Sequence, residues 1–345
     1  MFDDLVGNQH IKDAARRLIR SGRVPNSMLF AGDDGIGKRL FALEIARSFV
    51  CTDASGPEPC GVCGSCRRVG KFTFPTSEKG EDYDRVFSSD HPDVGMVIPY
   101  KRNVRIGAIR ALEREANFQP YEARARVFIV DDAEKMADPA ANALLKTLEE
   151  PAASSHIFLI TSRPDSLLPT IRSRCQMLRF APVHTSEIEK YLIRERSLIT
   201  EEAQLAARLA RGSIGRAVSI NVEKFRVSRD RMLRVLRDAV ITGNMASLLL
   251  VSEEMNDAKN KDNFEESIDI LESLIHDVWS LRIAEDPARI VNTDLANDLA
   301  AIARDAANAD LPGWLSQIET MRERFAVNIN RKAATDALFV SMAAR

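Results

Sequence analysis

A glycine-bearing loop at residues 32–39 is the first group of residues whose types and spacing could do chemistry. It follows a short apolar run and precedes a helical pattern, which is the setting of a phosphate-binding loop. Its glycines let backbone N–H groups surround phosphate oxygens, and a lysine after the last glycine reaches the terminal phosphates. Gly32, Gly35, Gly37 and Lys38 are therefore candidate phosphate-binding residues. A turn that binds nothing is the alternative.

The residue after this lysine departs from the phosphate-loop pattern. A Ser or Thr normally ligates Mg²⁺ at this position, and this chain has Arg39. A guanidinium cannot ligate a cation and repels one. We therefore expect a degenerate loop without productive hydrolysis of Mg²⁺-bound ATP. Two outcomes are open for the nucleotide itself: weak binding of ATP or ADP by Lys38 and the glycines, or a phosphate space filled by the charge of Arg39.

A second apolar run, residues 127–130, ends in the carboxylates Asp131 and Asp132. Nucleotide-hydrolysing α/β domains keep a Mg²⁺-organising Asp at such a strand end, with a Glu that positions water beside it. Asp131 fits the first role, but Asp132 is one methylene shorter than the glutamate. Because a misplacement of about 1 Å can cost on the order of 100-fold in rate, the pair predicts a degenerate site. A solvated turn that caps the next helix is the alternative.

The cysteines form a second candidate site. Four of them, Cys51, Cys60, Cys63 and Cys66, lie within 16 residues of one another. The two short spacings allow paired sulfurs to reach one tetrahedral ion, and four thiolates leave no open coordination position. We therefore predict a structural zinc knuckle at residues 51–66, with free buried cysteines as the alternative.

Alternating strand and helix signals surround these candidate sites. Apolar runs and helical spacing predict strands at 27–31, 127–130 and 156–161 and helices at 40–50 and 140–150. Strands that alternate with helices indicate a parallel sheet with helices on both faces. Residues 67–100 show little periodicity and predict an irregular insertion.

The pattern along the chain predicts three domains. An α/β domain covers residues 1–180 and contains the zinc-knuckle insertion at 51–66 and the irregular insertion at 67–100. A small helical domain covers 181–222, and a helical C-terminal domain covers 223–345. After about residue 181 the strand signals fade and helical spacing dominates.

Composition limits the class of protein. The chain has 345 residues, of which 45% are hydrophobic, and a formal net charge of -2. This balance excludes a strongly basic nucleic-acid coat, an acidic tail protein and a disordered chain. No apolar run approaches the roughly 20 residues that span a bilayer, and the acidic start has no signal-peptide core. We expect a cytoplasmic protein that has no membrane partner.

These motifs, in this order, resemble the bacterial DNA polymerase III clamp-loader subunits of the AAA+ class. The resemblance begins at residues 2–9 and continues through the loop and the cysteines. It includes His-Pro-Asp at residues 91–93, Asn-Ala-Leu-Leu-Lys-Thr-Leu-Glu-Glu-Pro at 142–151 and Thr-Ile-Arg-Ser-Arg-Cys at 170–175. It covers about residues 1–220, whereas the C-terminal helices resemble the collar domain of the family only generally.

The resemblance implies an AAA+ domain, a lid domain and a collar domain in one subunit of a heteropentamer. This complex opens a sliding clamp and places it on primed DNA, together with delta-like and gamma/tau-like subunits. The gamma/tau-like motors hydrolyse ATP, and an arginine from a neighbouring subunit completes each site. Arg174 matches that arginine finger, and Thr161 matches the polar sensor at a strand end.

Three departures from the motor pattern occur together. Two are Arg39 and Asp132, and the third is Arg216, which stands one residue later than the sensing arginine of the motors. One residue rotates a helical side chain by about 100°. The resemblance therefore implies a stator-type subunit of the polymerase holoenzyme that does not hydrolyse ATP and donates Arg174. An active gamma/tau-like motor is the alternative; a zinc-bearing DNA-binding protein is disfavoured by the net charge.

Overall fold

A computed structural model describes residues 2–53, 58–76, 79–257, 264–284, 290–325 and 330–344. The chain forms two compact units, Met1–Ser219 and Ile220–Arg345. The finer division of the first unit at residue 180 stays a prediction. Residues 54–57 and 77–78 of the two predicted insertions lie outside the described residues.

A six-stranded sheet with the spatial order β2-β3-β4-β5-β1-β6 forms the centre of the first unit. Its strands are β1 (Ser27–Ala31), β2 (Phe87–Ser88), β3 (Val94–Val97), β4 (Arg126–Val130), β5 (Ser155–Thr161) and β6 (Gln176–Arg179). Every neighbouring pair is parallel except β2 with β3. The predicted parallel sheet is confirmed, with the addition of a short antiparallel strand at one edge.

Helices cover both faces of this sheet. Those of the first unit are α1 (Gln9–Arg20), α2 (Lys38–Val50), α3 (Gly64–Arg68), α4 (Ile106–Ala116), α5 (Asp138–Glu149), α6 (Pro169–Arg172), α7 (Thr185–Arg196), α8 (Thr200–Leu209) and α9 (Ile214–Ser219). Alternate residues of a strand face opposite sides of the sheet. Phe30 and Phe158 lie in the core that packs against α1 and α2. Leu29 and Leu159 lie in the core that packs against α4 and α5. Burial on both faces explains why these strands are continuously apolar in sequence.

Short 3-10 helices connect several of these elements. They span Phe2–Asp4, Gly80–Tyr83, Ala133–Lys135 and Pro164–Ser166. The predicted irregular insertion at 67–100 is wrong at its end, because β3 is a buried strand inside the sheet. This run of four residues is too short to show a period, and burial on both faces removes the polar alternation that marks a strand.

The described secondary-structure elements of the second unit are all helices. Its helices are α10 (Val222–Arg237), α11 (Met245–Asn256), α12 (Phe264–Ala284), α13 (Ala296–Asp305), α14 (Leu311–Phe325) and α15 (Arg331–Ala343), with a π-helical turn at Asp238–Thr242 and 3-10 turns at Thr293–Leu295 and Ala306–Asn308. Ile268, Leu271 and Ile275 of α12 are buried, as their helical spacing predicts. In the described parts of the chain no helix has the length and apolar character that crossing a bilayer requires.

Candidate functional site

The candidate phosphate loop, the acidic strand end and Thr161 lie where the parallel strands end. We call this side of the sheet the loop edge. Gly32 follows β1, Asp131 follows β4 and Thr161 ends β5, and parallel strands bring these carboxyl ends together. The backbone N–H of Gly32 donates to the Thr161 carbonyl oxygen at 3.2 Å, and that of Asp131 donates to the Val97 carbonyl oxygen at 2.9 Å. Thr161 is fully buried, and its hydroxyl oxygen accepts a hydrogen bond from the Arg163 N–H at 3.0 Å.

The loop has the backbone conformation that its glycines permit. Gly35 and Gly37 have φ angles of 74° and 99°, which side-chain-bearing residues rarely adopt. Lys38 is buried, and its ammonium group donates to the carbonyl oxygens of Gly32 and Asp33, the latter at 2.7 Å. Burial lowers the pKa of Lys38, and the nearby Asp34 carboxylate opposes that shift. The loop therefore surrounds the Lys38 ammonium group with its own carbonyl oxygens.

Arg39 forms an ion pair with Asp131 across this edge. Its Nη1 lies 3.1 Å from the Asp131 Oδ2, and the exposed side-chain fractions are 53% and 19% respectively. Burial raises the pKa of Asp131, while the neighbouring Arg39 guanidinium opposes that shift. The structure thus pairs Arg39, which departs from the phosphate-loop pattern, with Asp131, which fits its expected place, and the arginine neutralises the carboxylate matched to Mg²⁺ organisation.

A group of three carboxylates lies beside that ion pair. Oxygens of Asp34, Asp132 and Glu134 lie within 4.8 Å of one another, which is close enough to hold a cation. Asp132 has a left-handed backbone and contacts Lys135 at 2.7 Å. Burial acts to raise the pKa of Glu134, but hydrogen bonds, chiefly from Ser162, hold it below its usual value. Glu134 was missed in the sequence analysis, although an acid two residues after Asp132 was a visible signal.

The first turn of α9 touches the phosphate loop directly. The Gly215 N–H donates to the Gly35 carbonyl oxygen at 2.7 Å. A Cβ added to Gly215 would lie 3.1 Å from that oxygen, so only a glycine fits this approach without displacing the loop. Arg216 is exposed, and its N–H donates to the Ser213 hydroxyl at 3.2 Å. The shifted arginine was visible in the sequence, whereas the contact between the two glycines was not.

The four cysteines form a compact cluster of free thiols. Their sulfurs lie within 4.8 Å of one another, and the Sγ atoms of Cys51 and Cys60 are 3.6 Å apart. A tetrahedral zinc with bonds of about 2.3 Å places its sulfurs roughly 3.8 Å apart. Burial acts to raise the pKa of Cys63, but hydrogen bonds from Cys66 and Thr52 lower it to about 5, whereas burial raises that of Cys66. This donor set fits a metal ion.

Helix α2 connects the cysteine cluster to the phosphate loop. The loop precedes Lys38 at the start of α2, and Cys51 caps its end. Arg47, near that end, donates to the carbonyl oxygens of Cys66 at 3.3 Å and Val69 at 3.4 Å, and pairs with Glu44. The cluster therefore packs against the last turn of α2. Because α2 has 13 residues, this turn lies about 20 Å from the loop.

Arg174 lies at the edge of the sheet opposite the loop edge, where the parallel strands begin. Its Nη2 is 2.6 Å from the Glu149 Oε1, and its Nη1 donates to the Thr170 carbonyl oxygen at 2.9 Å. Because β6 is parallel to β1 and Ala31 pairs with Arg179, Arg174 lies five residues toward the amino end, roughly 15 Å along the strand direction. Arg174 is therefore remote from the phosphate loop of its own chain.

A loop after β1, carboxylates after β4 and a buried threonine at the end of β5, all on parallel strands, have the arrangement of an α/β domain that binds ligands at its strand ends. Residues 7–184 match the protein family described as DNA polymerase III, delta subunit, and this chain belongs to that family. The resemblance to clamp-loader subunits is thereby confirmed.

Relatives in two bacteria match nearly the whole chain. DNA polymerase III subunit delta' of Bacillus subtilis is 28% identical over 325 residues, covering 94% of this chain and 92% of the relative. The subunit delta' of Escherichia coli is 28% identical over 317 residues, covering 91% and 87%. DNA polymerase III subunit gamma/tau of Mycobacterium tuberculosis is 33% identical over 173 residues, but this match covers 50% of this chain and 27% of the relative. Full-length similarity is thus found with delta' subunits.

A solved structure also resembles this chain. A DNA polymerase III gamma subunit-related protein from Thermotoga maritima superposes with a TM-score of 0.43 at 20% identity, covering 96% of this chain and 99% of that one.

Proposed function

We propose that this chain is a stator subunit of the delta' type in the DNA polymerase III clamp loader. It keeps the architecture of a nucleotide site, does not hydrolyse ATP itself and donates Arg174 to the ATPase site of a neighbouring subunit. The observation that carries this proposal is the 3.1 Å ion pair between Arg39 and Asp131. It places a fixed positive charge on the carboxylate that would organise Mg²⁺.

Three features at the loop edge support a silent site. Arg39 offers no ligand to a cation and repels one, and Asp131 is already paired with it. The first turn of α9 is bonded to the loop through Gly215 and Gly35. In this proposal Asp132 and Thr161 are remnants of the catalytic strand ends, and Lys38 with the three loop glycines binds ATP or ADP weakly.

The location of Arg174 supports action on a neighbour. A guanidinium at the edge opposite the loop cannot complete the site of its own chain, but its side chain is 33% exposed and accessible to another subunit. In other nucleotide hydrolases, an arginine delivered to the γ-phosphate stabilises transition-state charge and is worth about 10³–10⁵ in rate.

Membership of the family supports a proposal about the assembly. We propose that the chain joins motor subunits of the gamma/tau type and a delta-like subunit in a heteropentamer, and that this complex loads a sliding clamp onto primed DNA. Residues 1–180 form the AAA+ domain, 181–222 the lid and 223–345 the collar that joins the subunits.

The cysteine cluster would hold one structural zinc ion through Cys51, Cys60, Cys63 and Cys66. With four thiolates in the shell, the ion supplies a cross-link between the chain segments and not a reactive centre. Elemental analysis of the purified protein should find about one zinc per chain. A chain variant with Cys60→Ser and Cys63→Ser is the control and should lose it; zinc retained in that variant, or absent from the parent, would contradict this assignment.

An active gamma/tau-like motor is the second candidate, and one observation favours it. The carboxylates of Asp34, Asp132 and Glu134 lie close enough to hold a cation beside Lys38. Magnesium-dependent release of inorganic phosphate by the purified chain would support this function over the stator.

The stator proposal is tested in a reconstituted loader. Arg174→Ala should lower the DNA-stimulated ATPase and leave assembly intact, because one active site loses its transition-state charge. Arg172→Ala is the matched control, since Arg172 lies on α6 and pairs with Asp165 at 2.7 Å. Equal turnover with the two variants would refute the arginine-finger role.

A further inference from the structure

We propose that Glu149 is a positioning residue for the Arg174 guanidinium. This inference rests on the proposed function, because it assigns to Glu149 the task of holding the finger in the orientation that the neighbouring site requires. It is carried by the ion pair between Glu149 Oε1 and Arg174 Nη2, at 2.6 Å.

The guanidinium is held from two elements at once. Glu149, the last residue of α5, binds Nη2, and the backbone carbonyl of Thr170 in α6 accepts from Nη1 at 2.9 Å. The Ser173 hydroxyl lies 3.5 Å from the same Nη1. Two anchors on different elements fix both the position and the plane of the guanidinium, whereas one anchor would leave it free to rotate.

Both anchors stand on firmly packed backbone. Leu148, next to Glu149, is 4% exposed, and Ile171 and Cys175, on either side of Arg174, are 0% and 9% exposed. Glu150 leaves the helical conformation, with φ -125° and ψ 66°, because the following Pro151 disfavours it. Helix α5 therefore ends at Glu149 and presents that carboxylate at the surface.

The arrangement leaves the finger able to act. Within the described residues, the contacts of Arg174 engage its two Nη atoms, and none engages Nε. A guanidinium has five N–H donors, so Nε–H and a remaining Nη hydrogen can reach a phosphate while Glu149 stays bound. The side chain is one-third exposed, which gives an incoming phosphate access.

Orientation is what this ion pair can contribute. An ion pair with a half-exposed carboxylate adds little to stability. A guanidinium already held in the reactive geometry loses less conformational freedom when the transition state forms, and a misplacement of about 1 Å can cost on the order of 100-fold in rate. We therefore expect Glu149 to affect turnover and not folding.

The first experiment isolates the site that this chain completes. A loader is reconstituted with motor subunits that carry alanine in place of their own finger arginine, so that the remaining turnover depends on Arg174. Glu149→Ala should lower kcat roughly 10-fold to 100-fold without changing the KM for ATP or the Tm of the chain. Glu149→Gln, which keeps an acceptor oxygen, should recover part of the loss. Glu150→Ala is the matched control and should behave as the parent chain does.

The second experiment separates positioning from a structural effect. In a loader with intact motors and Arg174→Ala, the sites between motors still turn over, and adding Glu149→Ala should change nothing. A further loss there would show that Glu149 acts on assembly or folding, and would overturn the inference. Unchanged or higher turnover with Glu149→Ala in the first loader, beside a loss with Arg174→Ala, would also overturn it. If Arg174→Ala itself has no effect, the proposed function fails and this inference fails with it.

Discussion

The two edges of the central sheet each carry an arginine–carboxylate pair, and the pairs differ in what surrounds them. At the loop edge, Arg39 binds Asp131, whose side chain is 19% exposed and whose pKa is raised by burial. At the opposite edge, Arg174 binds Glu149, whose side chain is 49% exposed. The first pair neutralises a partly buried carboxylate, whereas the second presents a guanidinium at the surface.

The difference shows that the role of an arginine–carboxylate ion pair depends on its burial and on the residues around it. Under the proposed function, the carboxylate at the loop edge is a remnant of a Mg²⁺ site, and its arginine partner keeps it from binding a cation. At the other edge the proposal assigns the task to the arginine, and the carboxylate orients it. A single sheet thus positions both groups, because its strand ends face two different surroundings.

Arginine-to-lysine substitution at both edges should give the largest contrast. Lysine keeps the positive charge but lacks the planar fork that binds a carboxylate and a phosphate together. Arg174→Lys should lower kcat at the site this chain completes on the order of 100-fold. Arg39→Lys should leave it unchanged, since an ammonium still neutralises Asp131.

The measurement is ATPase turnover in a loader whose motors lack their own finger arginines. Native gel filtration of both loaders controls for assembly. Similar losses at the two positions would mean that the edges do not differ in function.

The sequence predicted those parts of the site that short motifs encode. Gly32, Lys38 and Asp131 were identified because a strand followed by its loop is local in sequence, and Thr161 was identified through the family resemblance. The structure brings all four to one edge. The cysteine cluster was identified for the same reason.

The contacts that were missed join segments far apart in the chain. Gly35 meets Gly215, and Glu149 meets Arg174, through the packing of separate elements. A residue type alone gives no sign of such a partner. Strand β6 was missed because two of its four residues, Gln176 and Arg179, are exposed at the sheet edge and interrupt the apolar pattern.

Replacing Arg39 at the loop edge should have a moderate effect on nucleotide binding. Arg39→Ser restores a magnesium-ligating hydroxyl and releases Asp131 from its partner. Affinity for a fluorescent ATP analogue should rise about 10-fold in the presence of Mg²⁺, the equivalent of one charge-assisted hydrogen bond. Asp132 is unchanged, so phosphate release should remain at background.

Titration of the isolated chain with and without Mg²⁺ makes this measurement. Arg39→Ala is the control, because it removes the guanidinium without supplying a hydroxyl. Tight, magnesium-dependent binding by the parent chain would show instead that the Arg39–Asp131 pair does not block the site.

The smallest expected effect is a pH-dependent change in stability at the loop edge. The pKa of Asp131 is raised in the folded protein, so its contribution to stability is present at low pH and lost as pH rises through the folded pKa. Arg39 reduces this loss by stabilising the carboxylate. The free energy of unfolding of Arg39→Ala should therefore match that of the parent near pH 4 and fall below it by up to about 1 kcal/mol near neutral pH, since the pair is partly exposed.

Urea unfolding across this range measures the difference, and Asp131→Asn should abolish its pH dependence. A deficit that is equal at all pH values would mean that Arg39 stabilises the edge by packing and not by its charge on Asp131.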